Sequence, residues 1–396
     1  MAVMSLSALV RAAVFCFAAM ANAASAAPFI PQSESQILEQ LPVAASDPAM
    51  RELRTLREEL KNEPDDLPLA VRLARGYLEL GRVTGDPRYS GYAQAALAQW
   101  WDLERPPDEV LILRASLRQR SHQFDAALSD LAEVLALNPR NSQARLTRAT
   151  VLQVQGAYDA AREECKILQN LTQELVWTAC LASVNGVAGK LNESYEQLRE
   201  ALNRQHYVQP VMRGWVLTSL AEMAARAGRA EASTHFREAL ALNPADNYLL
   251  GAYADFLLDS GRAQEVSVLL QDKTRADPLL LRYALALKSL GSTELALHVE
   301  QLRDRFEASR LRGDRVHVRE EARFTLHLLN DPKKALQLAQ ENWQVQKEPA
   351  DARILIESAL AAQDAASIET MRDWLKKTGL EDIELERLLT KPLQPN

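Results

Sequence analysis

Residues 114–156 read RASLRQRSHQFDAALSDLAEVLALNPRNSQARLTRATVLQVQG. In this stretch Arg114-Ala115 is followed by Arg118 and His122, and Arg148-Ala149 by Leu152 and Gly156. Between them, Phe124-Asp125-Ala126-Ala127 leads through Leu128, Leu131 and Leu135 to Asn138-Pro139. Apolar residues spaced by three and four mark one face of a helix. Pro139 cannot continue that helix. Gly156 supplies the backbone freedom with which the next one ends. Alanine at 115 and 149 suits a crossing of two helices, where a larger side chain would hold the axes apart.

The unit recurs along the chain. Leu73-Ala74 is followed by Tyr77 and Gly81, Leu181-Ala182 by Asn185 and Gly189, and Leu220-Ala221 by Ala224 and Gly228. Tyr253-Ala254 precedes Leu257 and Gly261, and Tyr283-Ala284 precedes Leu287 and Gly291. The marker alanines at 74, 115, 149, 182, 221, 254 and 284 are 41, 34, 33, 39, 33 and 30 residues apart. The second half repeats as well. Ala127 and Pro139 are separated by 12 residues, as are Ala232 and Pro244, and Lys190–Tyr195 leads to Leu198 and Leu202 in the same way.

These segments resemble tetratricopeptide repeats, most clearly from Leu67 to Ser292. The resemblance implies an all-α fold, a right-handed superhelical solenoid of antiparallel helix pairs. A single hairpin cannot bury its apolar face, whereas stacked hairpins bury a continuous core. Low aromatic content (6%) with plentiful alanine argues in the same direction and against a strand-rich chain. Formal net charge of −7 gives no overall attraction to nucleic acid or anionic lipid.

The expected organisation is a signal peptide over 1–26, a leader over 27–46, repeats over 47–292, degenerate repeats and a cap over 293–390, and a tail over 391–396. Arg11 precedes an apolar run from Ala12 to Ala21, and Ala21-Asn22-Ala23 and Ala24-Ser25-Ala26 are A-x-A cleavage candidates. The run is short for a span of about 20 residues, which favours cleavage near residues 23–26 over an uncleaved anchor. Cys16 follows Val14-Phe15 and lacks the small residue that a lipoprotein site requires. The mature chain is thus expected in a bacterial periplasm, with no transmembrane segment.

Two places depart from the period. Arg82–Tyr89 carries Gly-Asp-Pro and reads as a loop inserted between paired helices, either functional or merely tolerated. Trp100 and Trp101 beyond it read as a core plug or as an anchor for a partner. Arg204–Pro210, with His206 and Tyr207, reads as a second insertion that bends the array or divides it. The arginine-rich stretch from Arg303 to Arg319 reads as a solvated helix and loop. Helical pairs at Glu320–Gln346 and Asp351–Lys377 continue the array, and Met50–Asn62 reads as the second helix of a degenerate first unit.

No catalytic constellation emerges. The six histidines form no H-x-x-x-H or H-E-x-x-H pattern, and there is no Walker loop or G-x-S-x-G. No enzyme activity, cofactor or metal is expected. Cys165 and Cys180 fall on consecutive helices about equally far from the turn near Leu171-Thr172. In an oxidising compartment they read as a disulfide, the alternative being two buried thiols.

In the resembled family the first helices of the repeats line the inner face. Alignment on the alanine and glycine marks places Gln119, Arg120, Gln153, Trp215, Glu222, Arg226, Tyr248, Asp255 and Asp259 there. Trp215 and Tyr248 read as hot-spot aromatics or as packing between repeats. The expected function is a non-catalytic periplasmic scaffold binding a protein or peptide partner in the envelope. The alternatives are an accessory factor of exopolysaccharide or outer-membrane assembly, and an enzyme with a site at the 82–92 insertion.

Overall fold

The computed structural model describes residues 47–390, which belong to one compact unit. The signal peptide, leader and tail expected from the sequence lie outside the described residues. Within them all regular structure is α-helical, in 21 helices. Helix α1 (Pro48–Asn62) starts two residues earlier than its sequence reading, because Asp47 caps it and Pro48 occupies its first turn.

Nine hairpins follow. The first pairs α2 (Leu67–Thr84) with α3 (Arg88–Ala96), and the short α4 (Ala98–Trp101) connects it to the next. Repeats 2 to 5 are α5 (Asp108–Arg120) with α6 (Phe124–Leu137), α7 (Ser142–Val154) with α8 (Tyr158–Leu168), α9 (Glu174–Asn185) with α10 (Leu191–Asn203), and α11 (Pro210–Arg226) with α12 (Ala232–Leu242). Repeats 6 to 9 are α13 (Asn247–Asp259) with α14 (Ala263–Leu270), α15 (Asp277–Leu290) with α16 (Leu295–Leu311), α17 (Val318–His327) with α18 (Pro332–Val345), and α19 (Pro349–Ala362) with α20 (Ala365–Thr378). Helix α21 (Ile383–Leu389) closes the array.

All seven marker alanines are at most 1% exposed, as a helix crossing demands. The hairpin turn takes left-handed backbone, as at Gly156 (φ 78°), and His122 adopts it (φ 56°) in the copy that lacks glycine. Asn141 caps α7 through its side chain, and Pro139 follows the end of α6.

Several readings are corrected. Gly81 does not end α2. It is buried inside that helix, which runs one turn further to a left-handed Gly85, leaving a short link to α3 rather than a long insertion. A Cβ at Gly81 would stand 3.1 Å from Tyr89 Cβ, so this glycine serves close packing. The 204–210 segment does not divide the array, because one apolar core continues across it, joining Tyr195 and Leu198 to Leu217 and Leu250. Nor is the arginine-rich stretch simply solvated. Arg305 donates to the carbonyls of Thr274 and Arg275 and to Asp277, and Arg319 reaches Glu348 (2.9 Å) and the fully buried Asp351 (3.3 Å). Trp101 is held by Arg114, which stands over its ring and donates to its carbonyl, and both tryptophans of the pair are half-buried.

The sulfurs of the buried Cys165 on α8 and Cys180 on α9 stand at bonding distance, with their Cα atoms 5.5 Å apart. No helix of the described residues is long and apolar enough to cross a membrane.

The array curls until distant repeats meet. Helix α2 of repeat 1 packs on α13 of repeat 6, and Arg82 pairs with Asp246. The Gly85 backbone lies so close that a Cβ there would clash with the Asn247 side chain. Repeat 3 meets the link between repeats 8 and 9: the Lys347 N–H donates to the Val154 carbonyl (2.7 Å) and Tyr158 Oη to the Lys347 carbonyl (3.1 Å). Repeat 4 meets the last link through the Leu191 N–H and Glu381 (3.2 Å), and a Cβ on Gly379 would be 3.1 Å from Gly189 Cα.

Candidate binding cavity

The curl surrounds an open cavity of about 2190 Å3. Its walls are mainly the first helices of the repeats, and all nine residues placed on the inner face by sequence line it. Helix periodicity accounts for the convergence. On α11, Trp215, Glu222 and Arg226 lie seven and four residues apart on one face, while Val216, Leu217 and Leu220 of the opposite side are buried. On α13, Tyr248, Asp255 and Asp259 repeat the arrangement opposite the buried Leu249, Leu250, Tyr253 and Leu257. Asp246 caps α13 through the Tyr248 and Leu249 N–H groups and so fixes where this face begins.

Trp215 (42% exposed) and Tyr248 (63%) are not buried between repeats. They face the cavity with the exposed Val211 and Leu242, forming an apolar shelf on the wall of repeats 5 and 6. Tyr248 Oη donates to Glu222 Oε1 at 2.6 Å. Desolvation pushes the Glu222 carboxyl up to about 7, against the opposing pull of that hydrogen bond and of Arg226. The Glu222 carboxylate in turn raises the Tyr248 phenol. Arg226 donates to the Gly186 carbonyl (3.0 Å), and burial lowers its pKa against the attraction of Asp382 and Glu222. Gln153 accepts from Ser183 at 3.0 Å.

Asp255 and Asp259 face arginines of other repeats. Asp255 takes Arg282 of repeat 7 (2.5 Å) and Arg323 of repeat 8 (2.6 Å), and Asp259 takes Arg353 of repeat 9 (2.7 Å). Burial alone would raise the Asp255 carboxyl, yet these two arginines hold it far below the ordinary range. Gln119 and Arg120 line the opposite side, where burial and the neighbouring Arg82 lower the Arg120 pKa.

Arg323 and Arg353 were missed by the sequence reading, although a signal was present. Glu222 and Asp255 each follow a marker alanine directly. Ala322 and Ala352, both fully buried, hold the same place in repeats 8 and 9, and Arg323 and Arg353 directly follow them. These copies lack the turn glycine that identifies the others, and Asn330 and Gln363 take the left-handed turn instead.

In the 82–92 segment the one acid, Asp86, and the preceding Glu79 are matched by arginines. Asp86 pairs with Arg88 (2.6 Å) and Glu79 with Arg82 (2.7 Å). No group of three or more histidine, cysteine, aspartate or glutamate residues among the described residues could hold a metal ion.

A tetratricopeptide repeat family model matches residues 119–180, the stretch from the end of α5 into α9. This stretch carries tetratricopeptide repeat sequence. Among solved structures, the array is similar to a tetratricopeptide repeat protein from Parabacteroides merdae ATCC 43184, with 14% identity and a TM-score of 0.41 over 60% of this chain and 92% of that one. Yeast Tom70 is 12% identical with a TM-score of 0.40, over 86% of this chain and 83% of its own. The P58(IPK) TPR domain is 18% identical with a TM-score of 0.23, over 82% and 98%. No curated protein matches the chain. The tetratricopeptide match includes Gln119, Arg120, Gln153 and both cysteines, so one part of the cavity wall falls within it.

Proposed function

We propose that the protein is a non-catalytic scaffold of the cell envelope that holds a protein or peptide partner in its central cavity. The observation that carries this reading is the shelf of Trp215 and Tyr248. Two large aromatic side chains line the cavity and remain partly exposed to water there. Aromatic side chains of this kind supply much of the binding energy of protein interfaces.

The test is crosslinking capture from envelope extracts with the wild type and a Trp215→Ala/Tyr248→Ala variant. The expected result is a discrete captured protein whose yield falls about tenfold or more in the variant, as the loss of a hot spot of roughly 2 kcal/mol implies. Equal capture by both proteins would remove the shelf from the site. Capture of glycan and no protein would instead favour the exopolysaccharide reading.

Export is supported by the apolar N-terminal run and its A-x-A sites, and by a cysteine pair set at bonding distance. In protein recovered from the periplasm, Cys165 and Cys180 are expected to resist alkylation until reduced. The bridge closes a short loop, since the two cysteines are 15 residues apart. Their joint replacement by serine is expected to lower stability by about 2–4 kcal/mol in urea unfolding. Free thiols in exported protein would argue against both the bridge and the location.

A further inference from the structure

Carboxylates on the cavity wall are, with one exception, engaged by a cation or by a backbone N–H. Asp246 of α13 holds Arg82, Asp255 holds Arg282 and Arg323, and Asp259 holds Arg353. Glu320 and Glu348 share Arg319, and Asp382 accepts the Glu384 and Leu385 N–H groups at the start of α21. The exception is Glu222. Among the described residues its carboxylate forms no ion pair and accepts no backbone N–H. The phenol of Tyr248 donates to its Oε1 at 2.6 Å, and Oε2 is left without a hydrogen bond. Arg226, one turn further along α11, attracts this carboxylate but donates to the Gly186 carbonyl (3.0 Å) and makes no ion pair with it.

The unmatched carboxylate stands with the two exposed aromatic rings. Trp215 lies two helical turns before Glu222 on the same face of α11, roughly 10 Å along the axis. Tyr248 holds the corresponding place on α13, since each aromatic comes six residues before a marker alanine. An aromatic ring face and an anionic oxygen both attract a cation, and do so more strongly away from bulk water. The engaged Oε1 discriminates between cationic side chains. A guanidinium binds best through two parallel bonds to both carboxylate oxygens, whereas an ammonium is a point donor on a flexible apolar stem. Oε2 alone suits the ammonium.

We propose that Glu222, Tyr248 and Trp215 form a lysine-binding subsite, so that the cavity takes a peptide segment in which lysine lies next to an apolar residue. The ammonium meets Oε2 of Glu222 while the lysine stem covers the Tyr248 ring. Trp215, with the exposed Val211 and Leu242 beside it, takes the apolar neighbour. The proposal rests on the aromatic shelf being the partner-binding surface.

The probes are capped peptides of alanine and leucine that carry lysine, its uncharged counterpart norleucine, or glutamate at the centre, titrated calorimetrically into the full chain. At about pH 8 the lysine peptide is expected to bind about tenfold more tightly than the norleucine peptide, and the glutamate peptide most weakly. Glu222→Gln keeps an acceptor for the Tyr248 phenol and is expected to abolish the preference. A pH series gives a second reading. Tyr248 and Asp255 on α13, Arg226 on α11 and Glu348 ahead of α19 are the charged and titratable groups facing the Glu222 carboxyl, and desolvation, the largest influence, raises it to about 7. The ammonium pairs with the ionised form, which grows from roughly a tenth of the protein at about pH 6 to roughly nine-tenths at about pH 8, and apparent affinity scales with that fraction. Lysine-peptide affinity is therefore expected to rise about tenfold over this range, and norleucine-peptide affinity not to rise. Asp351, raised by burial to about 6, titrates in part of the same range, and Glu222→Gln, which keeps Asp351, is expected to show no such rise.

Equal binding of the lysine and norleucine peptides at about pH 8, no binding of the lysine peptide, or a preference that survives Glu222→Gln would overturn the subsite. The wild-type comparison of peptides holds even if the variant fails to fold. Peptides that bind equally but lose affinity in the Trp215→Ala/Tyr248→Ala variant leave the shelf as the partner surface and refute the subsite alone. A lysine preference that needs Glu222, together with envelope capture indifferent to that double change, keeps the subsite and refutes the shelf as the partner surface.

Discussion

Replacing Phe236 with alanine is expected to destabilise the array by about 3–5 kcal/mol, the range for truncating a fully buried aromatic. Phe236 lies on α12 and is 1% exposed. Its ring centroid is 5.2 Å from that of Tyr253 and 5.5 Å from that of Phe256, both on α13, so it joins repeat 5 to repeat 6. Stability in a repeat array is approximately a sum of repeats and nearest-neighbour interfaces. The loss should therefore appear at that interface, and the urea transition should broaden or split as the two sides lose cooperativity. Phe236→Leu keeps most of the volume and should cost less than half as much. Urea unfolding followed by helical circular dichroism measures both, and a loss of under about 1 kcal/mol for the alanine variant would mean that the site collapses to fill the void.

The second large effect is expected at Asp130 on α6. Its carboxylate is buried (4% exposed side chain) and receives Arg114 and Arg118 of α5, each at 2.7 Å. Asp130→Ala leaves two guanidinium groups facing a low-dielectric pocket without their carboxylate, at a cost of about 3–5 kcal/mol. Arg114 keeps only its contact with the Trp101 carbonyl and ring, and Arg118 its bond to the Ala126 carbonyl. A double-mutant cycle with Arg114→Met separates the pair from the desolvation penalty. The double variant is expected to recover much of the loss, because it no longer buries one of the unmatched charges. No recovery would show that Asp130 acts by packing alone.

Much of the fold was legible because repeats impose local marks. A buried alanine at the helix crossing and a left-handed turn seven residues later are both dictated by near-neighbour sterics; both marks are present in six of the nine hairpins, and the buried Ala74 marks a seventh. Where glycine was replaced by Asn330 or Gln363, the marks faded and Ala322 and Ala352 were not recognised. In repeats 1 and 9 the left-handed residue comes eleven positions after the alanine, at Gly85 and Gln363, because the first helix is longer by a turn. In the sequence that extra turn mimics an insertion at 82–92. The inner face was legible because it follows from helix phase alone, so Trp215 and Tyr248 could be assigned without knowing the curvature. The closure was not legible. Arg82, Arg323 and Arg353 become partners of α13 only when small rotations accumulate over several repeats, and no local period records that sum.

The contact between repeats 1 and 6, and between repeat 3 and the link after repeat 8, makes the number of hairpins a fixed quantity. An open solenoid can gain or lose a unit by duplication or deletion, since each unit touches only its neighbours. Here, inserting or removing one hairpin between repeats 1 and 6 would carry Asp246 past Arg82 by a whole repeat, and doing so between repeats 6 and 8 would carry Asp255 and Asp259 past Arg323 and Arg353. The protein is built from interchangeable parts, yet it behaves like a ring that accepts a single count of them.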